Sequence, residues 1–205
     1  MKGTPSRAGW PAWFKHFRSD DLDEIRAYVD RDVGPHFRIA HQPGPVGFDM
    51  HVAAGQTLTV GWNSVAVGKT IRGRTEHPVL HLESPPGTVF RLGRQVLKPT
   101  VAGAATLTGA GCEFTRSSPA GQLFAIQLDG ATLGCEISAR QGGAPGAWTW
   151  ALARLRLDEA QRQSLQADAW QFTQALAPDA PPTHAAFCAS RIVASVAKAM
   201  VAQDA

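Results

Sequence analysis

LTVGWNSVAVGKTI, residues Leu58 to Ile71, decides the fold class. Leu58, Val60 and Trp62 recur every second residue, the period of a strand with one apolar face. Two strands are expected here, Gln56 to Trp62 and Val65 to Ile71. Outward from this stretch, His36 to Leu128 keeps the same character: short alternating or apolar runs cut by Gly and Pro, as in an all-β barrel or sandwich. The other expected strands are Phe37 to His41, Phe48 to Ala53, Val79 to Glu83, Val89 to Leu92, Cys112 to Arg116 and Gln122 to Leu128. About eight strands is a jelly-roll number. Pro85-Pro86-Gly87 and Leu92-Gly93-Arg94 look like hairpin connections.

The flanks read differently. Residues 1–18 are an arm whose aromatics, Trp10, Trp13, Phe14 and Phe17, are poorly solvated unless they pack on the body. A helix is expected from Ser19, with Asp21 and Glu24 at capping-box spacing and Leu22, Ile25, Tyr28, Val29 and Val33 on one stripe, stopped by Gly34-Pro35. After Asp129, Thr132 to Arg140 reads as a short helix, Gly142 to Gly146 as a loop and Trp148 to Leu155 as helical. Asp158 is the expected N-cap of a longer helix carrying Leu165, Ala169, Phe172 and Leu176 along one stripe. Pro178, Pro181 and Pro182 end it, and a last helix from about Thr183 to Gln203 carries Cys188, Ile192, Val196 and Met200. These two form a helical hairpin. The class is α+β, mainly β: one helix, a jelly-roll barrel and a helical hairpin, divided as arm 1–18, barrel unit 19–140 and helical region 147–205.

With 205 residues, 44% hydrophobic and 18% charged, one globular domain with an extension is expected. Apolar runs are interrupted well short of the roughly 20 residues that span a bilayer, and the N-terminus has no signal-peptide core, so a cytoplasmic protein without membrane contact is expected. Cys112, Cys135 and Cys188 are odd in number and far apart, which fits reduced thiols. The net charge of +3 is spread along the chain, so no phosphate-neutralising face supports direct nucleic-acid binding.

No nucleophile elbow, phosphate loop, H-E-x-x-H or C-x-x-C is present. His77-x-x-x-His81-x-Glu83 is the chemical candidate. On a strand rising about 3.3 Å per residue, His77 and His81 lie roughly 13 Å apart, too far to share a metal. His81 and Glu83 face the same way, but two ligands do not make a site. No metal or cofactor is expected.

The order of arm, helix, barrel and helical pair resembles the N-terminal ligand-binding domain of AraC/XylS-type transcriptional regulators. FRSDDLDEIRAYVDRDVGPHFRI (Phe17 to Ile39) looks like the opening helix of the subgroup with a helix ahead of the barrel. LTVGWNSVAVGKTI is similar to its paired strands, and the stretch from Val89 to Leu133 to its barrel-closing segment. The resemblance implies a cupin-like barrel that binds a small-molecule effector, a helical pair that makes a homodimer, and DNA contact only through a double helix-turn-helix domain, which needs on the order of 100 further residues. The chain is then either a truncated sensor half or a solitary sensor domain.

A sensor pocket is a mostly apolar cavity with a few orienting polar groups. Trp62, His81, Phe90, Arg91 and Arg116 are the candidate effector contacts; either arginine could pair with a carboxylate through its planar fork. Each has a plainer reading, the aromatics as core and the arginines as solvent-facing. Leu165, Ala169, Phe172, Leu176, Ile192, Val196 and Met200 are the candidate dimerisation residues, since two amphipathic helices leave more apolar surface than one sheet face needs. The rival readings are a metal-dependent cupin enzyme, with His81 and Glu83 joined by His41 or His51, and a structural dimerisation module whose cavity is filled by its own side chains.

Overall fold

LTVGWNSV forms the expected strand, and its alternation is visible in burial: Leu58, Val60 and Trp62 are buried and the residues between them half-buried. The computed structural model describes residues 11, 13–32, 38–41, 43–98, 104–143 and 152–204. Along them run β1 (Lys15–Ser19), α1 (Leu22–Asp32), β2 (Arg38–His41), β3 (Phe48–Ala54), β4 (Leu58–Val65), β5 (Lys69–Arg74), β6 (Val79–Glu83) and β7 (Val89–Leu92). They continue with β8 (Gln95–Leu97), β9 (Ala104–Thr108), β10 (Glu113–Ser118), β11 (Gly121–Leu128), α2 (Gly130–Gln141), β12 (Leu152–Arg156), α3 (Glu159–Gln174) and α4 (Pro182–Asp204). The strands make two antiparallel sheets, a seven-stranded one in the order β1-β3-β4-β11-β6-β9-β12 and a five-stranded one in the order β2-β5-β10-β7-β8. The fold is α+β, mainly β: two antiparallel sheets with helices.

Several expectations are redrawn. Val65 to Ile71 is not one strand: the chain leaves the large sheet at Val65 and enters the small sheet at Lys69. Pro85-Pro86-Gly87 likewise carries the chain from one sheet to the other instead of closing a hairpin, with Gly87 at φ 88° and Thr88 Oγ1 donating to the Pro85 carbonyl at 2.6 Å. Turn residues announce a reversal without saying which sheet receives the chain. Gly93, at φ 55°, does turn a hairpin, pairing Leu92 with Gln95. Leu152–Arg156 is a strand paired with β9, not a helix. LARLR is too short for periodicity to separate the two states, and the open edge of β9 decides. Residues 148–151 lie outside the described ones, as do Trp10 and the expected helix stop at Val33 to Pro35.

The arm is a strand at its inner end. β1 pairs with β3 from Lys15↔Val52 to Ser19↔Phe48, so Ser19 ends a strand and α1 starts three residues later. Asp21 caps it, its Oδ1 accepting from the Asp23 and Glu24 amides at 2.8 and 3.0 Å, while Glu24 Oε2 accepts from Ser19 Oγ at 2.7 Å. α3 has the full capping box: Asp158 Oδ1 accepts from the Gln161 amide at 2.7 Å, and Gln161 Oε1 from the Asp158 amide at 2.9 Å. The boundaries at 18 and 147 therefore cut β1 and β12 away from the sheet they belong to.

The large apolar core lies outside the barrel. Leu58, Val60 and Trp62, with Leu80, Leu82, Leu107, Phe124 and Ile126, face α2, α3 and α4. In that layer Leu165, Ala169, Phe172, Ile192 and Val196 are 2% exposed or less, and Leu176 and Met200 pack against it. Five of the seven residues expected at a dimer seam are thus interior to the single chain, because the helices cover the sheet's outer face and each other, while Leu176 and Met200 are only partly buried. α4 explains a second correction: Thr183–Ala202 is long and apolar enough by composition to cross a membrane, with mean hydropathy 1.5. Its apolar side, including Cys188, Ile192 and Val196, is spent on the core.

Gly55, in the β3–β4 turn, marks how closely sheet and helices meet. A Cβ there would lie 2.8 Å from Cζ of the buried Phe172. Gly55→Ala is expected to destabilise the fold by about 1–3 kcal/mol through overpacking. A urea midpoint equal to the parent's would show that α3 has room to retreat.

Candidate functional site

A second apolar cluster, with Ile25, Tyr28 and Val29 of α1, Phe48, Met50 and Val52 of β3 and Ile71 of β5, fills part of the space between the sheets and borders a cavity. The half-buried residues of β4, Thr59, Gly61 and Asn63, point inward. With Met50 of β3, Ile71 of β5 and Leu123 of β11 they help wall a cavity of about 250 Å³ between the sheets. Tyr28 and Val29 of α1 and the segment Thr75-Glu76-His77 also border it. Gly61 enlarges it: a Cβ there would meet only Met50 Cε, at 3.7 Å.

Three buried basic side chains share this interior, whose lining also includes the exposed Lys15, Arg74 and His77. Lys69 and Arg116 come from one face of the small sheet, Arg116 paired in register with Ile71 and Lys69 two residues along, and His81 comes from the large sheet opposite. Each is only 5% exposed. Arg116 Nη1 lies 3.4 Å from His81 Nδ1. Since guanidinium can only donate, Nδ1 accepts and the ring proton sits on Nε2. That Nε2 and Arg116 Nε are buried without a hydrogen-bond partner. Among the described residues Lys69 has soft partners, Asn63 Oδ1 at 3.5 Å and the Phe48 ring, 5.3 Å from its centroid. Among the described residues neither cation makes an ion pair, and the one acid bordering the cavity, Glu76, is exposed.

Burial pulls the Arg116 pKa down to about 10. Burial, and then the charge of Arg116, hold Lys69 well below 10.5 and His81 well below 6.5. His81 is therefore neutral in the fold. Below pH 6.5 the unfolded chain takes up a proton at His81 that the folded chain does not, so stability falls as pH falls, by at most about 1.4 kcal/mol per pH unit from this group. Above pH 6.5 it contributes no slope. Urea midpoints measured downward from pH 6.5 are expected to fall less steeply in His81→Gln; parallel curves would contradict a buried neutral imidazole.

The residues proposed from sequence are not all brought together. Arg116 and His81 border the cavity. Phe90 is fully buried inside the barrel, paired with Arg116 and 4.8 Å from the His81 ring, and stands behind the wall. Trp62 is on the other face of its strand, stacked on Phe124 at 4.7 Å and near Phe14 and Trp170 under the helices. Arg91, next to Phe90, faces outward and is exposed. Lys69 escapes a reading of the sequence because it is the first residue of β5, where a lysine is ordinarily solvated, and its burial depends on the opposite sheet.

The metal reading loses its geometry. The β6–β11 register shifts between Phe124 and Ala125, so Ala125 faces His81 while Phe124 faces Glu83. This bulge turns Glu83 to the helical side, where Arg162 Nη1 donates to it at 3.1 Å and Gln166 Nε2 also donates. His51 is on the outer face of the large sheet, and the side chain of His41 is outside the described residues. His51 does gather with His16 around Asp49 Oδ1, their Nε2 atoms 3.3 and 3.0 Å away. The two rings stack at 4.3 Å and within 5° of parallel. Parallel in-plane lone pairs do not converge on one ion, so this trio is an aspartate shared by two imidazoles.

No protein-family model matches the chain, and no curated protein matches it in sequence. Among solved structures, that of the AraC-like transcriptional activator CuxR superposes with TM-score 0.63 at 11% identity, over 92% of this chain and 70% of that one. The two share a fold. Partial likenesses extend to a cupin superfamily protein of Desulfitobacterium hafniense DCB-2 (TM-score 0.32, 14% identity, 44% of this chain and 77% of that). They also include a variant of Bacillus subtilis oxalate decarboxylase (TM-score 0.34, 9% identity, 64% of this chain and 47% of that).

Proposed function

We propose that this chain is the effector-sensing domain of an AraC-type transcriptional regulator, a binding module and not an enzyme, that holds a small molecule between its sheets and acts on DNA through a separate domain. The observation that carries the reading is a cavity between the sheets, bordered by the apolar cluster of α1, β3 and β5 and by three buried basic side chains. The fold shared with an AraC-like activator supports it. A chain of contacts from the cavity to the helices supports a relay of occupancy. Tyr28 and Val29 border the cavity, Tyr28 stacks on Phe17 of β1 at 4.1 Å, and just ahead of β1 Trp13 Nε1 donates to the Thr173 carbonyl of α3 at 2.8 Å. An effector that favours one placement of α1 shifts β1 and its hold on the helices, provided it binds that placement better.

The reading predicts that a panel of metabolites, or the dialysable fraction of a bacterial extract, contains a compound that raises the unfolding midpoint saturably. No rise with either would end the sensing claim. A homodimer remains part of the proposal, on a surface other than the buried stripe, and light scattering of the purified chain tests it.

A further inference from the structure

We propose that the effector is a small organic anion, its carboxylate or phosphate group held inside the barrel by Arg116 and Lys69 and its body lying on the apolar wall of Met50, Ile71, Phe114 and Leu123. This rests on the effector-binding reading and narrows it to a chemical class. Of the four cations that line the cavity, Lys15 and Arg74 are exposed, whereas Lys69 and Arg116 are each 5% exposed, with no acid paired to either among the described residues. Buried charge is ordinarily paired, and two like charges in one interior raise each other's cost. The fold itself has no use for them: a methionine at either position would fill similar space without giving up hydration. A bound anion supplies the missing counter-charge, and the guanidinium fork matches a carboxylate or phosphate edge. His81 adds a neutral donor, its proton fixed on Nε2 by the contact with Arg116. A cavity of about 250 Å³ is small beside the roughly 300–1,000 Å³ of ordinary small-molecule sites, which favours a small acid.

The test compares unfolding midpoints of the parent, Arg116→Met and Lys69→Met at constant chloride. The probes are hexanoate, benzoate and inorganic phosphate, with hexanamide and benzamide as neutral counterparts. A dialysable bacterial extract, separated on an anion exchanger into retained and unretained fractions, is added as a further arm. The expected result is a saturable rise with the retained fraction and with at least one anionic probe, reaching roughly 5–10 °C at a hundredfold excess over Kd, and none with the amides. A response to phosphate alone assigns a phosphoryl group; a response to an acid assigns a carboxylate. Both variants are expected to lose the response while their own midpoints equal or exceed the parent's, whereas arginine or lysine in a purely structural role would lower them. Amides as effective as acids, an undiminished response in both variants, or no response to any anion overturns the proposal. A rise confined to the unretained fraction overturns it and leaves the sensing reading standing. No rise with any fraction removes both.

Discussion

Truncation of Phe172 to alanine is expected to cost about 3–5 kcal/mol, the loss of a large aromatic from a core that cannot fully close over the gap. Phe172 is 2% exposed, lies against the Gly55 turn on one side, and belongs to the cluster that joins β4, β6 and β11 to α2, α3 and α4. For a chain of this size each kcal/mol shifts the thermal midpoint by about 2–4 °C. The drop should be the same at low and high protein concentration, because the ring packs entirely within one chain. A residue at a dimer seam behaves otherwise, its stability rising with concentration. A loss below about 1 kcal/mol, or one that grows with dilution, would contradict the placement of the helical layer.

The second large effect is on binding rather than stability. Gly61→Leu adds four carbons into a cavity of about 250 Å³ from a backbone that need not move, since the new Cβ meets Met50 Cε at an ordinary 3.7 Å. The fold should survive at a cost of no more than about 1–3 kcal/mol. Effector affinity should fall by about a hundredfold or more, equivalent to roughly 2.7 kcal/mol, because a ligand of the size the cavity admits and a leucine side chain compete for the same space. Unchanged affinity for the active extract fraction, measured by titration of the midpoint, would place the ligand elsewhere.

How far the sequence can be read follows from which physical signals are local. Alternation at Leu58, Val60 and Trp62 reveals a two-faced strand, yet both sides of this sheet are covered, and alternation does not say which cover is the cavity. Trp62, expected in the pocket, therefore stands in the outer core. The C-terminal stripe has the opposite fault: its amphipathicity is real, but the partner is this chain's own sheet. His81 and Glu83 are expected on one face, and a bulge that no residue of β6 announces separates them. β1 and β12 are short, and their identity comes from the open edges of β3 and β9, which are long-range facts. What is legible is carried by strong local chemistry: the Asp158 cap, the short helix after Asp129, the Gly93 turn, and Arg116 as a cation carried on a barrel strand.

The central claim, that a small molecule sits between the sheets, has a direct probe in the methionine methyl groups, of which the chain has three, Met1, Met50 and Met200. Met50 faces the cavity, and Met200 packs in the helical layer beyond the large sheet. In a methyl-labelled sample titrated with the extract fraction that raises the unfolding midpoint, the Met50 signal is predicted to move saturably with that rise while the Met200 signal stays in place. A midpoint that rises with Met50 unmoved would contradict the account.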